Sequence, residues 1–282
     1  MNLHRSAVVK IAVFVALVTA LYFLGYWLIY RLGSATPLML TVGLAAILTC
    51  LVTGKPIRSL GWSWGHWKYQ WLSYLLPLGY VAAAYLLIWT LGFGGWYDAG
   101  FVSGLENDYN LESWSSPALL VLHFVLTASI SFLLLLPSVL GEELGWRGLL
   151  VPELSRIMPF SGVALVSGLL WAGWHWPLMF LGLYGNEGTP LVYQLSCFTV
   201  CLISMSVVMA YIRLKSHSLW PAVVFHMSHN IFLQKFFGPV TSENPDSAWF
   251  VGKFGAVVPL MAVLLAIIFW RKGQRLSANS CG

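Results

Sequence analysis

Charge is scarce in this sequence. Only 9% of its 282 residues are Asp, Glu, Lys or Arg, where a soluble domain carries roughly 25%, and only ten are acidic. That excludes an ordinary soluble globular domain. Cysteine is also sparse. Cys50, Cys197, Cys201 and Cys281 fit neither a disulfide framework nor a zinc knuckle by spacing, and read as small residues without chemistry. The net charge is +5, but no basic run is long enough for nucleic acid. There is no GxSxG nucleophile elbow and no HExxH zinc helix. No internal repeat is visible, which argues against a transporter built from two related halves.

Apolar residues are what the chain has in abundance: 59% of it is hydrophobic, with a mean hydropathy of +0.77. Eight apolar runs approach the roughly 20 residues that cross a bilayer: 11–30, 37–53, 71–93, 117–140, 161–181, 191–212, 219–237 and 254–270. The expectation is an all-α polytopic membrane protein of about eight transmembrane helices around a helical catalytic core. The first run is too long for a signal-peptide core and reads as a retained anchor. With eight spans and the N-terminus inside, the inner segments hold twelve Lys and Arg and the outer ones three, Arg31, Lys235 and Lys253. The positive-inside bias then places both termini in the cytoplasm of a cell membrane. The acidic loop 94–116 falls outside, and Trp62, Trp64, Trp67 and Trp71 read as an interfacial belt.

One stretch stands apart, Gly141-Glu142-Glu143-Leu144-Gly145-Trp146-Arg147-Gly148. Charges at membrane depth cost roughly 2.5–3.5 kcal/mol each on insertion scales, and they pair or mark function. On a helix Glu143 and Arg147 are i, i+4 with the acid first, the favoured order for an ion pair. Glu142 points about 100° away, with no partner evident in the sequence and free to react. Pro137, just upstream, frees a carbonyl and bends the run. Gly141, Gly145 and Gly148 permit a second helix to approach closely.

Further polar positions sit in later runs: His175 in Trp171-Ala172-Gly173-Trp174-His175, and His226 and Asn230 in His226-Met227-Ser228-His229-Asn230. The last two share a helix face. A lone His or Asn in a membrane helix often just bonds a neighbouring helix, but these residues together point to a site. In order, EExxxR, aromatic-xxx-His and HxxxN, the motifs resemble those of the CAAX-protease and bacteriocin-processing family, intramembrane proteases related to the Ras-converting endopeptidase. The resemblance covers about 115–235. Trp171 stands where that family more often has phenylalanine, and His229 is additional.

The resemblance implies an intramembrane endopeptidase acting on a membrane-associated peptide or protein. Glu142 would activate water with help from His175, His226 and Asn230 would form the oxyanion hole, and Glu143 and Arg147 would support them. It implies residues 1–115 as N-terminal helices and outer loop, 116–237 as catalytic core, and 238–282 as last helix and basic tail, with the active site nearer the inner face. No cofactor is required. The alternative is a zinc protease with Glu142, His175 and His226, or His229, as ligands. A non-proteolytic scaffold or immunity protein is a further alternative. The substrate stays open between a prenylated C-terminal motif, a bacteriocin leader and a signalling peptide. The partners expected are that substrate and the bilayer, without nucleic acid.

Overall fold

The computed structural model describes residues 3–278, so Cys281 lies outside the described residues. In chain order the helices are α1 (Leu3–Leu32), α2 (Thr36–Thr53), α3 (Trp67–Thr90), α4 (Ala99–Tyr109) and α5 (Ser116–Leu134). Helix α6 (Leu136–Glu143) runs on through a π-helical stretch, Leu144–Leu150, into Val151–Leu154. Then come α7 (Phe160–Phe180), α8 (Leu191–Ser216), α9 (Trp220–Ile231), which continues as a π-helical stretch Phe232–Phe237, and α10 (Val257–Ala278). Among the described residues the strands are two-residue pieces, β1 (Gly95–Trp96) and β2 (Thr241–Ser242), paired antiparallel. The chain is an all-α, multi-pass integral membrane protein. A helix satisfies its own backbone, which hydrocarbon demands.

Among the described residues seven helices are long and apolar enough to cross a membrane: α1, α2, α3, α5, α7, α8 and α10. Two of the expected runs take a different form. The run 117–140 breaks at Leu135, because Pro137 has no N–H to offer the Leu133 carbonyl one turn earlier. The chain restarts there as α6, which carries the glutamate pair. The run 219–237 is divided between twelve α-helical and six π-helical residues. Its side chains are mostly buried in the bundle, from Pro221 to Phe237.

Helices α2 and α6 lie almost backbone to backbone. A Cβ on Gly43 would meet the Gly141 carbonyl oxygen at 2.8 Å, and one on Gly145 would meet Val42 Cγ1 at 2.5 Å and the Phe14 ring at 2.8 Å. Two of the three expected glycines, Gly141 and Gly145, therefore permit the approach. Gly148 has only ordinary contacts, the nearest being the Leu60 carbonyl at 3.4 Å.

The loops gather at two ends of the bundle. At one end Lys55 pairs with Glu153 at 2.7 Å, Leu219 N–H bonds the Gly61 carbonyl at 2.8 Å, and Trp220 Nε1 bonds the Trp62 carbonyl at 2.8 Å. The exposed Trp62, Trp64, Trp67 and Trp71 lie here. Two of the twelve residues assigned to inner segments, Arg147 and Arg213, are buried within the bundle. At the other end Asn244 Nδ2 bonds the Gly92 carbonyl, Ser247 Oγ the Phe93 carbonyl and Asn186 Nδ2 the Ala248 carbonyl. The 94–116 loop at this end holds α4. Asp98 caps that helix on Phe101 N–H at 2.6 Å, and Val102 and Leu105 pack against Leu119, Leu120 and Val240.

Candidate active site

The site is built between α6, α7, α8 and α9. Glu142, Glu143, Arg147, His175, His226 and His229 are all buried. Glu143 and Arg147 form the expected pair, bidentate to guanidinium Nη1 at 2.8 and 3.1 Å. The guanidinium also donates to Ser206 Oγ at 2.9 Å and lies 4.1 Å from the Trp171 ring centre. A buried pair of this kind persists only when its remaining valences are met. Ser206 and the indole face meet part of them here, while Arg147 Nε has no hydrogen-bond partner among the described residues, and Arg213 Nε donates to the Arg147 carbonyl at 2.9 Å.

Glu142 has a partner that the sequence did not reveal: Trp171 Nε1 donates to its Oε2 at 2.7 Å. The other carboxylate oxygen remains available. A phenylalanine at 171 could stack on Arg147 but could not donate, so this indole does two things at once. Its edge also meets the His226 ring, with centroids 5.0 Å apart.

His175 Nδ1–H donates to the Trp171 carbonyl at 2.9 Å, one turn back on α7. That bond fixes the tautomer and leaves Nε2 as an acceptor. The ring is enclosed by Trp174, Phe198 and Tyr184, the last stacked at 5.7 Å. His226 joins the ion pair, its Nδ1–H donating to Glu143 Oε1 at 2.9 Å. Asn230, one turn on and half-buried, accepts from Gln234 Nε2 on its Oδ1 at 2.9 Å. Its amide N–H groups are thereby left to donate elsewhere. His229 points away and bonds the Tyr80 hydroxyl.

The structure thus brings together Glu142, Glu143, Arg147, Trp171 and His226, and reaches His175 through Trp171. Trp171, Ser206 and Tyr80 are the residues sequence reasoning missed. Trp171 had been visible as an unusual residue in the aromatic-xxx-His motif, whereas Ser206 and Tyr80 gave no signal. Zinc fits poorly: His226 faces Glu143 and His229 faces Tyr80. Among the described residues, no three His, Cys, Asp or Glu side chains are grouped as a metal shell.

A polar cavity of about 630 Å³ adjoins the site, with Tyr184, Gln234 and Lys253 in its wall. It opens among residues 183–188 and 238–254, at the end opposite the Lys55 and Trp62 loops.

Residues 115–232 match the family model described as type II CAAX prenyl endopeptidase Rce1-like. The CAAX prenyl protease 2 of Methanococcus maripaludis is 30% identical over 106 residues, which cover 36% of this chain and 38% of that protein. The chain therefore spans well under half the length of the curated relative it matches. It is this stretch, 115–232, holding Glu142, Glu143, Arg147, Trp171, His175, His226 and Asn230, that is similar to the Rce1-like type II CAAX prenyl endopeptidases.

Proposed function

We propose that the chain is an intramembrane endopeptidase that cuts a membrane-associated peptide with a glutamate-activated water. One observation carries the reading: the two adjacent glutamates are held differently. Glu143 is occupied by Arg147 and His226, while Glu142 is steadied by a single indole N–H with one oxygen free. In this mechanism Glu142 takes a proton from water as the oxygen attacks the scissile carbonyl, then passes it to the departing amine. His175, through Nε2, orients the water.

His226 and Asn230 donate to the oxyanion. Because His226 gives Nδ1–H to Glu143, its Nε2 donates only when the ring carries both protons. Losing one such donor typically costs about 10²–10³ in rate. Glu143 and Arg147 hold this arrangement and do not touch the substrate.

The names of the matching family and relative support a substrate of the prenylated CAAX type. For topology we propose the cell membrane with both termini cytoplasmic, α9 with its π-helical extension serving as the eighth crossing.

The test compares purified wild type and Glu142→Gln on a farnesylated peptide ending in a CAAX sequence, with the products identified by mass. Cleavage by wild type and none by the folded variant supports the reading. Equal cleavage by both removes Glu142 from the mechanism.

A further inference from the structure

Lys253 lies outside the stretch that matches the family, and its side chain is 8% exposed. It forms part of the wall of the polar cavity beside the site. Its ammonium bonds the Tyr184 hydroxyl, lies 4.6 Å from the Tyr184 ring centre and 5.6 Å from that of Phe254. Among the described residues no carboxylate comes within ion-pair distance of it. Two acids of the same wall, Glu187 and Glu243, are exposed at the rim. A buried ammonium resting on two aromatic faces is only partly compensated, because ring quadrupoles attract a cation less than a carboxylate does.

From these contacts we infer that the cavity holds a carboxylate-binding subsite, with Lys253 as the residue that takes the negative group of a bound peptide. The inference rests on the peptidase reading and adds to it the feature of the substrate that is recognised. Distance supports it. The Tyr184 ring stacks on His175 at 5.7 Å and the ammonium sits 4.6 Å from that ring, so it is no more than about 10 Å from the imidazole. Three extended residues span at most about 10 Å. A carboxylate on Lys253 therefore belongs to a residue within about three positions of the bond being cut. Asn186, Asn244 and Gln234 add neutral amides to the wall, and its two acids stay at the exposed rim. The carboxylate can be the chain terminus or an acidic side chain, and the two are separable by experiment.

The full-length protein in nanodiscs is assayed on one quenched-fluorescent farnesylated CAAX peptide in three forms. The first has a free α-carboxylate, the second a carboxamide, the third a carboxamide with glutamate as its last residue. In wild type, kcat/KM for the acid should exceed that for the amide at least tenfold. In Lys253→Met the ratio should fall to about one, and in Lys253→Arg most of it should persist. Recovery of the third form in wild type alone shows that a side-chain carboxylate also fills the subsite, whereas no recovery assigns it to the terminus. A folded Lys253→Met protein that keeps the wild-type preferences, or a wild type that cuts all three forms equally well, overturns the proposal. If wild type cuts none of the three, the peptidase reading fails separately. Fluorescence anisotropy of dye-labelled acid and amide peptides then decides the subsite, and equal binding of both by wild type overturns it.

Discussion

The indole N–H of Trp171 and the carboxylate of Glu142 are joined by a 2.7 Å hydrogen bond across two helices, α7 and α6. The same indole is the platform for Arg147. One side chain thus touches both members of the glutamate pair, one directly and one through its cation. Trp171→Phe separates these roles, since phenylalanine keeps the face and loses the donor. The protein should fold, and kcat should fall about tenfold, the equivalent of roughly 1.4 kcal/mol in the barrier, with KM little changed. Steady-state kinetics on the purified variant check this. A kcat equal to wild type would mean that the bond is not needed to aim Glu142.

The two glutamates should respond in opposite ways to the same substitution. Glu142→Gln removes the free carboxylate oxygen and leaves the ion pair, so turnover should vanish with folded yield intact. Glu143→Gln strands Arg147, which is fully buried, and breaking such a pair costs about 3–5 kcal/mol. Folded yield and Tm in detergent should drop. A stable, inactive Glu143→Gln beside an active Glu142→Gln would reverse the assignment.

How far this site was legible in sequence depends on whether a partner was local. Glu143 and Arg147 are one turn apart, so the pair could be read from spacing, and Asn230 shares a face with His226 by the same logic. The bond from His226 to Glu143 joins residues 83 apart, and the one from Trp171 to Glu142 joins residues 29 apart. No periodicity encodes such distances. Helix breaks were half legible. Pro137 announced a disturbance, but whether the helix bends or restarts depends on the packing of α6 against α2. The buried course of α9 was hidden too, because an apolar run reads alike whether lipid or protein surrounds it.

The α2–α6 contact yields a prediction on stability. Gly145→Ala places a methyl against Val42 and Phe14, and overpacking of this kind costs about 1–3 kcal/mol. Gly148→Ala meets only ordinary contacts. Thermal unfolding of the two variants in one detergent should show a clear loss for the first and little change for the second. Equal changes in the two variants would mean that the close approach at Gly145 does not set the response.

Topology is tested by accessibility. Tags at both termini should be protected in sealed cells and accessible after the cytoplasmic face is opened. A tag near Asn107, on α4, should be reachable from outside. Termini on opposite faces would show that α9 does not complete a crossing, and would leave the seven helices of sufficient length as the spans.

The oxyanion assignment is tested through Asn230, whose amide oxygen is held by Gln234 while its N–H groups remain to donate. Its hydrogen bond to substrate strengthens only as the carbonyl oxygen gains charge. Asn230→Ala should therefore lower kcat by about 10²–10³ and leave KM nearly unchanged. Gln234→Ala frees the amide to rotate and should give a smaller loss of the same kind. Under the zinc alternative the pattern differs, because the metal would polarise the carbonyl and Asn230 would matter little. His226→Ala would then lose bound metal, and chelated wild type would recover activity on adding zinc. Metal content of the active protein, measured with activity after exhaustive chelation, separates the two. Stoichiometric zinc with zinc-rescued activity would replace the glutamate-only mechanism, and chelator-resistant turnover with a large Asn230→Ala effect on kcat would support it.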